Sequence, residues 1–173
     1  MTYDYIIVGA GSAGCVLAHR LSEDPNVRVA LLEAGGKDFM PWIHIPAGFL
    51  KTLVHPKVNW LYETDPEPGT DNRPIPIPRG KVLGGSSSIN GMLYIRGHHR
   101  DYDIWSQLGN RGWSFEDVLP YFRRSENQSR GEDEYHGVGG PLHVSDQVEH
   151  HEICDAVLDA AESVGIPRND DVN

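Results

Sequence analysis

Two glycine-rich runs carry the chemistry this sequence can do. The first, Gly9-Ala10-Gly11-Ser12-Ala13-Gly14, has the spacing GxGxxG. Gly9 permits a tight turn, Gly11 lets the backbone approach a pyrophosphate, and Gly14 lets a following helix pack close to a preceding strand. The helix that begins at Ser12 would aim unpaired N–H groups and the positive end of its dipole at phosphate oxygens. Glu33 lies nineteen residues after Gly14, where an acid binds ribose hydroxyls and disfavours a 2′-phosphate, so NADP is not expected.

The second run is Arg79-Gly80-Lys81-Val82-Leu83-Gly84-Gly85-Ser86-Ser87-Ser88-Ile89-Asn90. Its glycines allow backbone to lie against a flat ligand, and its serines can cap a helix or bond phosphate. The first loop alone does not separate FAD from NAD. A second surface of backbone donors serving the same extended cofactor favours FAD, because an NAD site leaves the segment without a role.

The elements around these runs must position them. Tyr5-Ile6-Ile7-Val8 is a short apolar run suited to a buried parallel strand. Residues 12–23 carry a helical pattern with Ala13, Val16, Leu17 and Leu21 on one face and Cys15 as a buried thiol. Asp24-Pro25-Asn26 ends it, and residues 27–32 form a second strand. Strand, helix and strand within residues 1–36 make a right-handed βαβ unit. Residues 37–124 are expected to hold an irregular segment, rich in proline and aromatics up to residue 80, that wraps a ligand, followed by the second glycine run and further helices. Trp42, Trp60 and Tyr62 are read there as lining the cofactor's lid or packing a core, with packing preferred. Ser114, with Asp117 three residues on, caps a helix that Pro120 would kink or divide. Residues 125–173 are expected to form a mobile acidic surface loop over 125–140, a short strand at Leu142-His143-Val144, and an amphipathic helix over 152–164. That helix would turn Ile153, Ala156, Val157, Ala160, Ala161 and Val164 inward and end at Gly165. The fold class is α/β.

Composition narrows the partners. The net charge of −10, with most of the acidic excess after Glu116, argues against nucleic acid. Two distant cysteines, Cys15 and Cys154, make neither a disulfide framework nor a zinc site. The N-terminus has no basic region and the first apolar run is short, so no standard signal peptide or membrane span is expected. A cytoplasmic protein follows, with peripheral contact at the inner face of a membrane left open. The pairs His98-His99 and His150-His151 are read as solvated or capping, since His151-Glu152 is followed at helical spacing by Asp155 rather than a second histidine. The run Glu132-Asp133-Glu134 is read as a solvated loop rather than a calcium site. No metal site is expected.

Taken together, these motifs resemble the glucose–methanol–choline (GMC) flavin oxidoreductases. The stretch from Gly80 through Gly84-Gly85-Ser86-Ser87, Ile89-Asn90, Tyr94 and Gly97 to Asp103 looks like the first signature of that family. Residues 4–9 and 32–36, Asn59-Trp60, Tyr94-Ile95-Arg96-Gly97, Trp105, Trp113, residues 119–122 and His136-Gly137 also fit. The resemblance implies that Gly9, Gly11, Ser12, Ala13 and Gly14 bind the FAD pyrophosphate and Glu33 the adenosine ribose. It also implies that Arg79, Gly80, Val82, Gly85 and Ser86 lie along the diphosphate and ribityl chain, with Asn90, Gly91, Met92 and Leu93 beside the isoalloxazine. Some members attach FAD covalently through a histidine just before this asparagine; Ile89 stands there, which implies non-covalent FAD.

The same resemblance implies hydride transfer from a primary alcohol to flavin, with a small-molecule alcohol as substrate and a quinone-type electron acceptor. The nearest subfamilies are choline dehydrogenases and acceptor-linked aliphatic alcohol dehydrogenases. The catalytic histidine of the family lies near the C-terminus of its members, and no residue here matches it. The chain is therefore expected to be the incomplete N-terminal portion of a two-domain fold. An NAD-linked dehydrogenase, or a non-catalytic nucleotide-binding fragment, are the competing readings.

Overall fold

The computed structural model describes residues 2–149 and 151–173, so His150 lies outside the described residues. The chain divides into two compact units, Met1–Leu93 and Tyr94–Asn173.

The first unit opens with β1 (Tyr5–Val8), α1 (Ser12–Leu21) and β2 (Val29–Leu32). The strands pair in parallel, Tyr5 opposite Val29 and Val8 opposite Leu32. Asp4 fixes this register, its carboxylate accepting the Arg28 N–H at 2.7 Å. Gly14 packs α1 onto the loop, because a Cβ there would overlap the Gly9 carbonyl oxygen. α1 and β2 are shorter than the sequence pattern, with α1 ending in a turn at Ser22 and β2 starting beyond a turn at Asn26. The strands are also less buried than their composition predicts. Ile7 is buried, whereas Ile6 and Val8 are exposed, as are Val16 and Leu17 of α1. Cys15 is half-buried, its Sγ 3.3 Å from the Ala10 carbonyl.

The irregular segment is built from single turns, including α2 (Phe49–Thr52), and a minimal antiparallel pair, β3 (Tyr62–Glu63) with β4 (Pro76–Ile77). Val58, Val82 and Ile89 form its apolar centre, with Met40 and Ile43 packed on it. Val82 and Ile89 therefore anchor the second glycine run through their side chains.

The second unit contains α3 (His99–Gln107), α4 (Phe115–Ser125), β5 (Glu126–Gln128), β6 (Leu142–Val144) and α5 (Glu152–Ser163). Ser114 caps α4 as expected, with a reciprocal bond to Asp117. The helix runs unbroken through Pro120. Proline there removes one intrahelical bond, to the carbonyl of the exposed residue Glu116, and water can satisfy that oxygen. His98 and His151 cap α3 and α5 by accepting backbone N–H bonds.

Residues 125–140 differ from the expected surface loop. β5 pairs in parallel with β6, and Glu126 is fully buried. The Glu126 carboxylate accepts from the Arg96 guanidinium at 2.9 Å and from the Gly137 N–H at 3.0 Å, with His136 Nδ1 3.0 Å away. Arg96 also donates to the Tyr135 carbonyl at 2.7 Å. The segment expected to be solvated is instead partly folded inward, because buried ions find partners at long sequence separation. α5 shows the opposite departure: Ile153, Val157 and Val164 of its apolar face, expected to point inward, are exposed.

Burial opposes ionisation of Asp171, but the Asn173 N–H and the Arg130 guanidinium outweigh it and hold this carboxyl below its usual range. Asp133 is also partly desolvated, yet the N–H groups of His136 and Tyr135 hold it low. Both groups stay ionised further into acid when folded, so their stabilisation is present above roughly pH 4 and lost as pH falls through the lowered values. Acidifying from about pH 5 to about pH 3 should therefore lower the melting temperature, and Asp171→Asn should weaken that dependence. Glu126→Ala should cost about 3–5 kcal/mol in urea unfolding, by stranding the Arg96 charge. The double change Arg96→Met with Glu126→Leu should cost much less.

Candidate functional site

The cleft lies wholly within the first unit and is built by backbone. Gly9 leaves β1 with its N–H on the Leu32 carbonyl at 2.7 Å. At the start of α1, Cys15 N–H bonds Gly11 O at 2.9 Å, while the N–H groups of Ser12, Ala13 and Gly14 precede that first bond. No side chain caps this end and no acid sits in its first turn. The helix therefore presents a positive pole with unclaimed donors.

The second glycine run meets the first directly. Gly84 N–H donates to the Ala10 carbonyl at 2.7 Å. Gly85 has φ +59°, and a Cβ on it would stand 2.8 Å from the Gly11 Cα. Only glycine serves both the conformation and the contact. Leu83 N–H bonds the Gly36 carbonyl at 2.9 Å, tying the run to the chain beyond β2, and Gly80 N–H bonds Ser86 Oγ at 3.1 Å, closing the segment on itself.

These contacts enclose an open cleft of about 840 Å³. Gly9, Gly11, Ser12, Ala13, Gly14, Glu33, Arg79, Gly80, Gly85 and Ser86 line it, with Ile7, Val8, Leu17, Leu32, Ala34 and Trp60. The structure thus brings both glycine runs and the acid into one wall. Val82 is not among these residues; its side chain is 1% exposed, in the apolar centre. Asn90, Gly91, Met92 and Leu93 lie outside the cleft as an exposed stretch, where Asn90 Oδ1 accepts the Met92 N–H at 3.0 Å. Ile89 is buried in the same apolar centre.

Glu33 has a local task besides any ligand. One carboxylate oxygen accepts Ala10 N–H and the other Gly35 N–H, both at 2.8 Å. It ties the loop to the end of β2, and each oxygen keeps a lone pair for a hydroxyl in the cleft. Trp60 is the principal residue that sequence reasoning under-weights. It lines the cleft at 40% exposure rather than filling a core. Its neighbours are prolines and single turns without periodicity, so no pattern marks the direction it faces.

Gly11 tests the fit to a dinucleotide. Its φ of −76° suits any residue, and a Cβ would meet no atom of the chain within 4 Å. The chain itself does not demand glycine there. The open space is the cleft, beside the free N–H groups, where a pyrophosphate would need the backbone bare.

A βαβ unit with this loop, an acid after the second strand and a second glycine run in the same cleft define a dinucleotide-binding α/β protein. The GMC oxidoreductase pattern matches residues 3–173, and the chain belongs to that family of FAD-binding flavoproteins. It is 49% identical over 178 residues to the mitochondrial choline dehydrogenase of Mus musculus, covering 99% of this chain and 30% of that protein. It is 50% identical over 173 residues to the oxygen-dependent choline dehydrogenase of Sinorhizobium fredii, covering 100% of this chain and 32% of that one. Its structure matches pyridoxine 4-oxidase from Mesorbium loti with a TM-score of 0.90 at 39% identity, over 97% of this chain and 33% of the other. The chain spans about a third of the length of the curated relatives it matches.

Two glycine substitutions should separate ligand space from fold. Gly11→Ala should leave the melting temperature of the apoprotein nearly unchanged and weaken FAD binding by about tenfold or more, measured by flavin fluorescence titration. Gly85→Ala should lower the melting temperature as well, because both its backbone angle and its contact with Gly11 resist a Cβ.

Proposed function

We propose that this chain is the cofactor-holding N-terminal part of an FAD-dependent oxidoreductase. The enzyme oxidises the CH–OH group of a primary alcohol, choline or an aliphatic alcohol, to the aldehyde and passes the electrons to a quinone-type acceptor. The observation that carries this reading is the meeting of the two glycine runs in one cleft. A single loop would suffice for NAD; two converging backbone surfaces suit the longer FAD. Similarity to choline dehydrogenases over the whole chain supports the alcohol substrate.

When bound, FAD supplies the acceptor for the hydride leaving the alcohol carbon. The residues of this chain bind and orient it. The N–H groups at the start of α1 and the Arg79 guanidinium meet the diphosphate charge, and Glu33 offers carboxylate lone pairs to the ribose hydroxyls. Asn90, Gly91, Met92 and Leu93 complete the contacts at the flavin ring, while Val82 supports the second run from the apolar centre. The FAD is held without a covalent bond, since Ile89 has no nucleophilic atom and packs with Val58 and Val82. No residue of this chain is assigned as the base that takes the hydroxyl proton.

Among the described residues no helix is long and apolar enough to cross a membrane. The reading places the enzyme in the cytoplasm, with peripheral contact at the inner face of the membrane where a quinone is met.

Purified full-length protein should be yellow, and acid precipitation should release its flavin into the supernatant. Choline or an aliphatic primary alcohol added without oxygen should bleach the flavin, and a soluble quinone should restore its colour with turnover. Protein that takes up NAD but not FAD would overturn the cofactor. Rapid peroxide release under air, with no turnover by the quinone, would overturn the acceptor.

A further inference from the structure

We propose that Asn59 is a positioning residue of the FAD cleft, a role that rests on the functional reading above. Its carboxamide holds Trp60 and Arg79 in the cleft wall, so that Trp60 lies against an aromatic ring of the cofactor and Arg79 against its diphosphate.

Asn59 is 2% exposed, and its side chain joins three stretches of chain. Oδ1 accepts the Leu61 N–H at 3.0 Å and the Arg79 N–H at 3.0 Å. Nδ2 donates to the Leu53 carbonyl at 2.5 Å. The main chain adds a short antiparallel bridge between Asn59 and Gly80. Trp60 N–H bonds Arg79 O, and Lys81 N–H bonds Val58 O, each at 2.8 Å. A buried carboxamide is thus spent on two backbone N–H groups that belong to or flank cleft residues.

The first of those bonds has a conformational consequence. Leu61 sits at φ +56°, a left-handed conformation that leucine seldom adopts. The Asn59 side chain closes an Asx-type turn over it and holds the chain in that bend. The bend leaves Trp60 in the cleft wall, where other contacts restrain its ring. Tyr62 stacks with it at 5.8 Å between centroids and 6° between planes, and Lys81 Nζ lies 4.5 Å from its ring centre. Trp60 is partly exposed and lines the cleft together with Glu33 and Arg79. A restrained, partly bare indole is a preorganised surface for stacking, and FAD carries two ring systems with faces to offer.

The second bond sets Arg79. Its N–H is held by Asn59 and its carbonyl by Trp60, so its main chain is fixed from both sides. Removing the carboxamide leaves two part-buried N–H groups without their acceptor and frees Leu61 to return to an extended conformation. Trp60 and Arg79 then lose their common brace.

The test compares Asn59→Asp and Asn59→Leu in the full-length protein, measuring the melting temperature of the apoprotein and the FAD dissociation constant. Asn59→Asp keeps an oxygen for both N–H groups but loses the donor to Leu53 and buries a charge. It should lower the melting temperature while holding FAD affinity within about threefold of wild type. Asn59→Leu removes the acceptor and should weaken FAD binding by about tenfold or more. Should Asn59→Leu yield no soluble protein, Asn59→Ser, too short to reach both amides, takes its place with the same expected loss. FAD affinity that follows the melting temperature in every variant would make Asn59 merely structural and overturn the proposal. So would an unchanged affinity in Asn59→Leu or its serine substitute. Wild-type protein that binds no FAD would overturn the functional reading, an outcome distinct from these.

Discussion

The cleft depends on one backbone contact. Gly84 donates to Ala10 and Gly85 lies against Gly11, so two segments some seventy-five residues apart touch without side chains between them. A β-carbon at Gly85 would push the second run off the first and open the wall. The rest of the first unit can be understood as the means of holding that contact. β1 and β2 aim the first loop, while Val82 and Ile89 pin the second run to an apolar centre. Side chains do the anchoring, and the ligand-facing wall is left mostly to bare main chain.

That division explains why Glu33 serves the scaffold as well as lining the cleft. Its two oxygens take N–H groups from the loop and from the chain beyond β2. Those backbone donors hold the carboxylate in place and partly offset its charge. The positive pole of α1 and Arg79 lie in the same cleft wall. One side chain thus both lines the cleft and fixes the loop.

Regular elements are legible in the sequence where periodicity and capping agree. β1 falls where its apolar run predicts, and the Ser114–Asp117 cap sets the start of α4. The meeting of the glycine runs is legible only as a chemical need, since nothing in their spacing specifies the register of Gly84 on Ala10. Burial is less legible. The apolar run that makes Ile6 and Val8 look internal says that these residues suit a covered strand; it does not say what covers them. The same holds for the exposed apolar face of α5. Val82 looks like a cleft residue because it stands among glycines, but a β-branched apolar side chain gains more from the company of Val58 and Ile89 than from a solvated groove.

Asn59 and Glu126 show how the irregular stretches fold without a periodic apolar pattern. Such segments leave backbone N–H groups that no helix or sheet will satisfy, and each must find an acceptor if it is to be buried. Asn59 accepts two of them in the first unit. Glu126 accepts one in the second, together with the Arg96 charge. Both side chains belong to polar types that a composition-based reading places at the surface, which is why neither stands out in sequence. The two solutions differ in cost. A neutral carboxamide can be buried against backbone alone, whereas the Glu126 carboxylate requires a cation beside it, and Arg96 is buried with it for that reason. The neutral residue stands next to the cofactor cleft. There it orders the wall by accepting two backbone N–H groups.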